Sequence, residues 1–346
     1  MRPSVYLSSA TAATVFAAAT LLGACTDLTI NAPVTAADSL SVGAARPSLQ
    51  PAGGGSPQPT PKPPIPGNCW PGCISGPGRI LFVDAYTSTV YAVNRDGSEL
   101  RSQVNGADDA SWRLDYKSFV FTQPVGSASQ LVSRRIGGQC PTGPVCPDTV
   151  LTKPQSATDR QRDGAMDPLG NVVAYADNTA GDYDIYFASV KHPGGPGDRM
   201  THAPGNDRWP HWSPDGHYVV FASQEDNPGG TGPYHIVRLE RDAESRTMLT
   251  TMEGRHPVYS PDGQHIAFTT STKGGDRVAV MDADGKNPVV YKLPVTNASH
   301  PSWSRDGQWI AFASTDPAWY GIDAMRADGS GLVHVTSFYG APKWSR

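Results

Sequence analysis

The sequence is poor in charged residues. Only 17% of its 346 residues are Asp, Glu, Lys or Arg, and the formal net charge is −4 at pH 7. A protein that binds nucleic acid through electrostatic attraction carries a basic excess. The composition therefore predicts no nucleic-acid partner.

Two catalytic signatures are also absent from the sequence. It contains neither a G-x-S-x-G elbow nor the phosphate-binding pattern G-x-x-x-x-G-K-[ST]. The first places a nucleophilic serine on a strained turn, and the second wraps backbone N–H groups around phosphates. These two mechanisms are therefore not expected here.

Long hydrophobic runs are scarce, and the one at the N-terminus is short. It follows Arg2, ends at Leu22 and is rich in Ala and Thr. Such a run is a poor membrane-spanning helix and is typical of an export signal. The residues at its end, Leu22-Gly23-Ala24-Cys25, resemble a bacterial lipobox, in which the cysteine is lipidated. We predict a signal peptide over 1–24 and a lipid on Cys25; an ordinary signal peptide with an incidental cysteine is the alternative.

The segment 25–77 has little apolar periodicity. It includes QPAGGGSPQPTPKPPIPG, a Pro/Gly/Ser stretch that cannot bury a core and favours extended backbone. We predict a disordered tether between the lipid and a folded domain. An ordered arm that wraps the domain is the alternative.

Cysteine is rare, with 5 in the whole sequence. Apart from Cys25 they form two close pairs, Cys69 with Cys73 and Cys140 with Cys146. An exported protein meets an oxidising compartment, so two disulfides are expected, and proximity favours the two local pairs among the three connectivities. A zinc site built from the four cysteines is the rival interpretation.

A tight turn followed by a buried strand recurs along the chain. The S-P-D-G stretch at 213–216 suits a type I turn, because proline fixes φ at its second position and glycine accepts the positive φ that follows. The apolar run Tyr218–Phe221 is typical of a buried strand. Related segments lie 41 to 54 residues apart. This period, with four strands in each repeat, predicts propeller blades.

Six anchor residues count the blades. One stands immediately before each turn: Trp112, Met166, Trp212, Tyr259, Trp303 and Trp344. Trp344 lacks a following strand, whereas the segment 78–104 begins with such a strand and lacks an anchor. Pairing the two leaves no open sheet edge. We therefore predict an all-β, six-bladed β-propeller over 78–346, closed by the C-terminal strand on the N-terminal blade.

The repeat has a family resemblance. W-S-P-D-G followed by I-A-F and I-x-x-M-x-A-D-G resembles the repeat of TolB-like six-bladed propellers, also called the WD-like or PD40 repeat. It is strong in the last three full blades and weaker in the second and third. The resemblance implies a fold and leaves function open, since such propellers occur in periplasmic interaction proteins, peptidase-gating domains and metal-dependent lyases.

The starts of the innermost strands are expected to form a ring at the mouth of the central channel. Three positions before the anchors the residues are Asp109, Asp163, Trp209, His256, His300 and Ala341. One position earlier they are Asp108, Arg162, Arg208, Arg255, Ser299 and Gly340. These residues differ in charge and type at one repeat position. A ligand site produces such variation, and so does drift in an exposed loop.

Three interpretations of this ring remain open. In the first, the arginines bind a peptide carboxylate or a small anionic ligand, because guanidinium presents parallel N–H groups, and Trp209 adds a stacking face. The predicted ligand-binding set is Asp109, Arg162, Asp163, Arg208, Trp209, Arg255, His256 and His300. In the second, the ring is a solvated rim. In the third, His256 and His300, with or without Asp163, hold a divalent metal such as zinc or manganese.

The leading hypothesis is a non-catalytic, lipid-anchored protein of the cell envelope. Thr26 follows the lipidated cysteine instead of aspartate, which favours the outer membrane facing the periplasm. The predicted partner is an envelope protein's peptide or a small anionic ligand, with membrane contact through the lipid alone and no cofactor. The alternatives are a metal-dependent carbohydrate-active enzyme, such as a uronate lyase with a metal on the histidine pair, and a structural scaffold.

Overall fold

A computed structural model of the protein describes residues 79–113, 118–135, 147–225, 232–243 and 245–345. These residues all belong to one compact unit, Ser39–Arg346. Within these ranges, no helix has the length and apolar character needed to cross a membrane.

Several sequence predictions lie outside the described residues and stay predictions. They are the signal peptide 1–24, the lipid on Cys25, the tether 25–77, and the pairing of Cys69, Cys73, Cys140 and Cys146.

The described residues form six antiparallel sheets of four strands each. Blade 1 contains β1 (Arg79–Asp84), β2 (Thr89–Asn94) and β3 (Arg101–Asn105), together with the last strand, β24 (Lys343–Trp344). Blade 2 contains β4 (Ala110–Trp112), β5 (Ser118–Val125), β6 (Ala128–Arg135) and β7 (Thr149–Val150). Blade 3 contains β8 (Gln161–Met166), β9 (Val172–Asp177), β10 (Asp184–Ser189) and β11 (Asp198–Arg199). Blade 4 contains β12 (Asp207–Trp212), β13 (Tyr218–Ser223), β14 (His235–Glu240) and β15 (Arg246–Met248). Blade 5 contains β16 (Arg255–Tyr259), β17 (His265–Thr272), β18 (Gly275–Asp282) and β19 (Val289–Val290). Blade 6 contains β20 (Ser299–Trp303), β21 (Trp309–Ser314), β22 (Gly321–Arg326) and β23 (Val333–Thr336).

The hydrophobic core lies between neighbouring blades. The second strand of a blade is buried on both faces, which explains continuous apolar runs such as the one in β13. Phe187 of blade 3 packs in one cluster with Trp212 and Phe221 of blade 4. Equivalent clusters join the other neighbours, so each blade buries its faces only when both adjacent blades are in place.

The ring closes through the C-terminal strand. Trp344 pairs with Ile80 and Lys343 pairs with Leu81 in antiparallel register. The backbone N–H of Ser345 donates to the carbonyl of Arg79 at 2.7 Å. The predicted six-bladed fold and its closure by the last strand on the first blade are confirmed.

Three of the four tryptophan anchors are hydrogen-bonded to the blade before their own. Three indole N–H groups donate to the carbonyl that precedes the neighbouring anchor: Trp112 to Lys343 at 3.0 Å, Trp212 to Ala165 at 3.1 Å and Trp303 to Val258 at 3.3 Å. In these three cases the partner belongs to the preceding blade, whereas the buried indole N–H of Trp344 has no hydrogen-bond partner among the described residues.

The turns after the anchors have the predicted chemistry. Gly216 adopts a φ of 75°, and the Ser213 hydroxyl donates to the Asp215 carboxylate at 2.5 Å. The same bond recurs from Ser260 and Ser304 in the next two blades. Because the innermost strands all run in one direction, these turns lie at one end of the channel and the starts of the strands lie at the other.

Candidate functional site at the channel mouth

A cavity of about 250 Å³ occupies the end of the channel where the innermost strands begin. Every blade contributes to its lining, which contains Asp108, Asp109, Ala110, Ser111, Arg162, Asp163, Gly164, Ala165, Arg208, Trp209, Pro210, His211, His256, Pro257, Val258, His300, Pro301, Ala341 and Lys343. The six residues predicted three positions before the anchors are all among them. The structure thus brings together residues that lie far apart in the sequence.

The residues four positions before the anchors divide into two groups. Asp108, Arg162 and Arg208 line the cavity, whereas Arg255 is not part of the lining. The guanidinium of Arg255 instead bonds Asp276 at 2.8 Å and the Ser271 hydroxyl at 2.9 Å. The sequence placed the three arginines together at the mouth, and the structure separates Arg255 from the other two.

Four residues at the mouth have left-handed backbone conformations. Asp163, Trp209, His256 and His300 have φ between 51° and 59°. Each lies at a β-bulge, where the pairing of the innermost strand with its neighbour shifts register. A residue with a Cβ loses about 1–2 kcal/mol in this conformation. Backbone strain repeated around one cavity points to a function for the side chains it redirects.

The residue that follows each strained residue, inside the bulge, explains why the ladder breaks there. Pro210, Pro257 and Pro301 follow three of the four strained residues. Proline has no N–H to donate to the ladder, so it is tolerated on an edge strand or at a bulge. Gly164 takes this place in blade 3, where a Cβ would approach the Leu131 side chain to 3.2 Å. Both solutions turn the preceding side chain into the cavity.

This strain predicts that glycine is more stable than alanine at position 300, which is the reverse of their order in an ordinary strand. In an ordinary strand, glycine is about 0.5–1 kcal/mol less stable than alanine. Since the left-handed backbone penalises the alanine Cβ, we expect His300→Gly to be about 1 kcal/mol more stable than His300→Ala in chemical denaturation. Ala313→Gly, in the regular part of β21, is the control and should be less stable than the parent. A more stable His300→Ala variant would contradict the strain.

The charged half of the mouth is built on an ion pair. The Arg208 guanidinium bonds the Asp163 carboxylate at 2.5 Å, and both side chains are mostly buried. The guanidinium carbon lies 4.7 Å from the centre of the Tyr183 ring and 4.8 Å from that of Trp209. Arg208 is therefore held by protein groups on several sides.

Asp109 lies beside this pair and shares its buried environment. Its carboxylate accepts a hydrogen bond from the Thr122 hydroxyl at 2.7 Å and another from the Asp163 backbone N–H. Burial, and after it the nearby charge of Asp163, raises the pKa of Asp109 to about 6. Asp109 is thus a carboxyl that changes charge in mildly acidic solution.

The other half of the mouth is an aromatic cluster. The rings of His256 and His300 are stacked at 3.6 Å between centroids, and Trp209 lies 4.3 Å from His256. Burial and then the charge of Lys343 lower the pKa of His300 to about 3. Burial, followed by His300, lowers the pKa of His256 well below its usual value. Both imidazoles are therefore neutral at physiological pH.

The histidine pair does not form a metal centre with other described residues. Within the described ranges, no group of three or more His, Cys, Asp or Glu is placed to hold a metal ion. The Nδ1 atom of His256 lies 3.2 Å from the Thr269 hydroxyl, and that of His300 lies 3.0 Å from the Ser299 hydroxyl. Face-to-face rings direct their nitrogen lone pairs within separate planes, which does not suit a shared ion.

Sequence reasoning missed two channel residues, Lys343 and His211. Both stand immediately before an anchor, and both line the cavity. Alternate residues of a regular strand face the same side. The bulge adds one extra residue between the position three before the anchor and the position directly before it. These two positions therefore both face the channel. Applied to the repeat, this rule would have found the lysine.

Lys343 is a partly buried cation that lines the channel. Burial lowers its pKa, and the carboxylates of Asp163 and Asp109 partly offset that effect. Below it, towards the anchor turns, the channel narrows to a second cavity of about 60 Å³ lined by the six anchors. Lys343 lines both cavities and therefore lies at the neck between them.

The fold and this mouth define a six-bladed β-propeller with an open polar channel. A family model described as PD40, TolB beta propeller domain, matches residues 156–346, which is more than half of the sequence. The protein belongs to this TolB β-propeller domain family.

Solved structures share the fold at low sequence identity. TolB from Acinetobacter baumannii is 20% identical with a TM-score of 0.64, over 78% of this protein and 66% of that one. A putative TolB from Agrobacterium tumefaciens is 19% identical with a TM-score of 0.60, over 76% and 90% of the two proteins. One component of a nidogen/laminin complex is 12% identical with a TM-score of 0.58, over 78% and 98%.

A curated relative matches a shorter segment. An uncharacterized protein of Agrobacterium fabrum is 33% identical over 81 residues, which is 23% of this protein and 26% of that one. The match thus spans about a quarter of that relative's length.

Proposed function

We propose that this propeller is a binding module that captures a segment of a partner protein, or a small anionic ligand, at its channel mouth. The observation that carries the proposal is the convergence of six variable repeat positions on one open cavity of about 250 Å³. Membership of the TolB propeller family supports it, because propellers of this kind occur in interaction proteins. We further propose that the protein acts in the cell envelope, anchored through a lipid on Cys25.

The residues proposed for binding are the lining members of the predicted set. They are Asp109, Arg162, Asp163, Arg208, Trp209, His256 and His300. Arg208 and Asp163 stabilise each other, so their role is to shape the wall of the site. Trp209 and the two neutral histidines offer an aromatic surface, on which aromatic or apolar groups pack favourably. Arg255 is left out of the proposed set because its guanidinium is engaged outside the cavity.

Site-specific photocrosslinking in the native host tests this proposal. A photoreactive amino acid replaces Asp108, which is exposed at the mouth, and in a second strain Leu169, which is 78% exposed in a turn at the opposite end. We expect a protein or ligand adduct of defined mass at position 108 and not at position 169. The adduct should disappear when Trp209→Ala is added. No adduct at position 108, or the same adducts at both positions, would contradict the capture of a partner at the mouth.

A further inference from the structure

Two cations in the mouth cavity have no protein anion bound to them. Among the described residues, Lys343 makes no side-chain hydrogen bond or ion pair, and neither does Arg162. The Nε atom of Arg162 is buried and lacks a hydrogen-bond partner among the residues that the structure describes. The guanidinium carbon of Arg162 lies 5.5 Å from the centre of the Tyr183 ring, which leaves its N–H groups to other partners. Lys343 and Arg162 are both partly buried, and a partly desolvated cation is stabilised by a partner of opposite charge, so both side chains can take a ligand anion.

The carboxylates of the cavity are already engaged elsewhere. Asp163 bonds Arg208, and Asp109 accepts hydrogen bonds from Thr122 and from the backbone N–H of Asp163. Asp108 is exposed at the rim. Lys343 and Arg162 therefore share one water-accessible cavity with carboxylates that are held away from direct contact with them.

The same carboxylates restrict the charge of any ligand. A ligand anion beside Lys343 also lies in the field of Asp109 and Asp163, and like charges at short range are unfavourable. A dianion such as phosphate doubles both this repulsion and its attraction to the two cations, but its desolvation cost rises with the square of its charge, which favours a singly charged group. A single carboxylate also matches the planar guanidinium of Arg162.

The apolar half of the site lies against the same cavity. The stacked rings of His256 and His300, with the Trp209 ring tilted by 57° against His256, form its wall. Neutral imidazoles do not attract an anion by charge. A flat apolar group packs well on such a wall. The ligand best suited to the whole cavity combines one carboxylate with an adjacent flat group.

We propose that Lys343 and Arg162 form a carboxylate subsite at the neck of the channel, which takes a monoanionic ligand group whose flat neighbour lies on the Trp209–His256–His300 wall. This inference rests on the proposed function and names the chemical class of its ligand. The carboxylate comes from an acidic residue of a peptide, from the C-terminus of a peptide or from a free organic acid.

Calorimetric titration of the whole protein with three matched probes tests the subsite. The probes are benzoate, its neutral analogue benzamide and the dianion phenyl phosphate. We expect benzoate to bind at least about tenfold more tightly than either analogue, in line with the strength of a charged hydrogen bond. Equal affinity for benzoate and benzamide, or tighter binding of phenyl phosphate, would overturn the proposal.

Matched variants locate the binding. Lys343→Met and Arg162→Gln should each weaken benzoate binding by about tenfold or more. Arg255→Gln should change it less than about twofold, because Arg255 lies outside the cavity lining. Lys343→Met replaces a partly buried charge with an apolar side chain, so its thermal midpoint should not fall below that of the parent. If it does fall, Arg162→Gln decides the test alone.

Two blocked compounds distinguish an acidic residue from a peptide terminus as the source of the carboxylate. N-acetylphenylalanine has only a terminal carboxylate, and acetyl-glutamyl-phenylalaninamide has only the glutamyl carboxylate. Binding of either in a Lys343-dependent way supports the subsite and identifies the source, and binding of neither overturns it for peptide ligands.

The crosslinking result separates failure of this inference from failure of the proposed function. Adducts at position 108 that persist in Lys343→Met would support the proposed binding function. They would also show that the carboxylate subsite is not the element that recognises the partner, and so would overturn it. Lys343-dependent benzoate binding without any adduct at position 108 would support the subsite and overturn the proposed capture of a partner.

Discussion

Trp344→Ala is expected to lower the free energy of unfolding by about 3–5 kcal/mol, which is the usual loss when a buried tryptophan is truncated. Trp344 is 4% exposed and packs with Ile80 and Phe82 of blade 1 and with Ile322 of blade 6. Its backbone N–H donates to the Ser302 hydroxyl at 2.7 Å. The substitution therefore creates a cavity at the junction where the last strand closes the ring.

Urea unfolding followed by circular dichroism measures this loss. Trp212→Ala is the matched variant, since Trp212 occupies the same repeat position within an uninterrupted blade and is 1% exposed. The two losses should agree within about 1 kcal/mol. Leu169→Ala, at a residue that is 78% exposed, should stay within about 0.5 kcal/mol of the parent. If Trp344→Ala behaved like Leu169→Ala, the closure would not hold the ring together.

Asp207→Asn is expected to stabilise the protein above neutral pH and to have little effect in acid. Asp207 is 1% exposed, and its Oδ2 atom has no hydrogen-bond partner in the described residues. Burial raises its pKa from 3.8 to about 7, against the opposing hydrogen bonds of Ser223 and Thr201. Between these two values the folded protein holds a proton that the unfolded protein has released.

The sign of the pH dependence follows from this difference. Because the folded state binds more protons in the window from 3.8 to about 7, the contribution of Asp207 to stability falls as the pH rises through it and is constant above it. A rise of about three pKa units, at about 1.4 kcal/mol per unit, corresponds to about 4 kcal/mol. Asp207→Asn lacks this loss, so its stability relative to the parent should increase by about that amount across the window.

Denaturation curves collected on both sides of the window check this prediction. Asp242→Asn, at an exposed residue, serves as the control and should leave the pH dependence of the parent unchanged. If the parent and Asp207→Asn lost stability in parallel, the buried carboxyl would not be the titrating group.

The propeller was predictable because its determinants are local and repeated. The turn at 213–216 depends on neighbouring residues, and the run Tyr218–Phe221 is apolar because its strand is buried on both faces. Repetition of these signals gave six anchors, and the unmatched Trp344 predicted its pairing with the first strand. Burial in a closed ring leaves no other place for that strand.

The candidate site was predictable in position and less so in chemistry. The repeat alignment located the mouth, yet Arg208 and Arg255 occupy equivalent positions and have different partners. Arg208 bonds Asp163, a residue of the preceding blade, whereas Arg255 bonds Asp276 of its own blade. No local pattern distinguishes these two outcomes, because each depends on side groups brought close by packing between and within the blades.

The strained backbone also escaped the sequence analysis. A proline after Trp209, His256 and His300 signals a break in the ladder, but the residue before proline usually prefers extended backbone. The left-handed conformation of all three residues depends on the surrounding strands, which hold the bulge in place.

The sequence by itself determined the number of blades, their turns and the closure of the ring, since each follows from short-range turn chemistry and from hydrophobic runs repeated along the protein. Only the tertiary structure decided which mouth charges are paired and which, like those of Lys343 and Arg162, stay without a protein anion among the described residues. The physical reason is distance: ion pairing and burial depend on atoms that the ring brings together from blades far apart in the sequence.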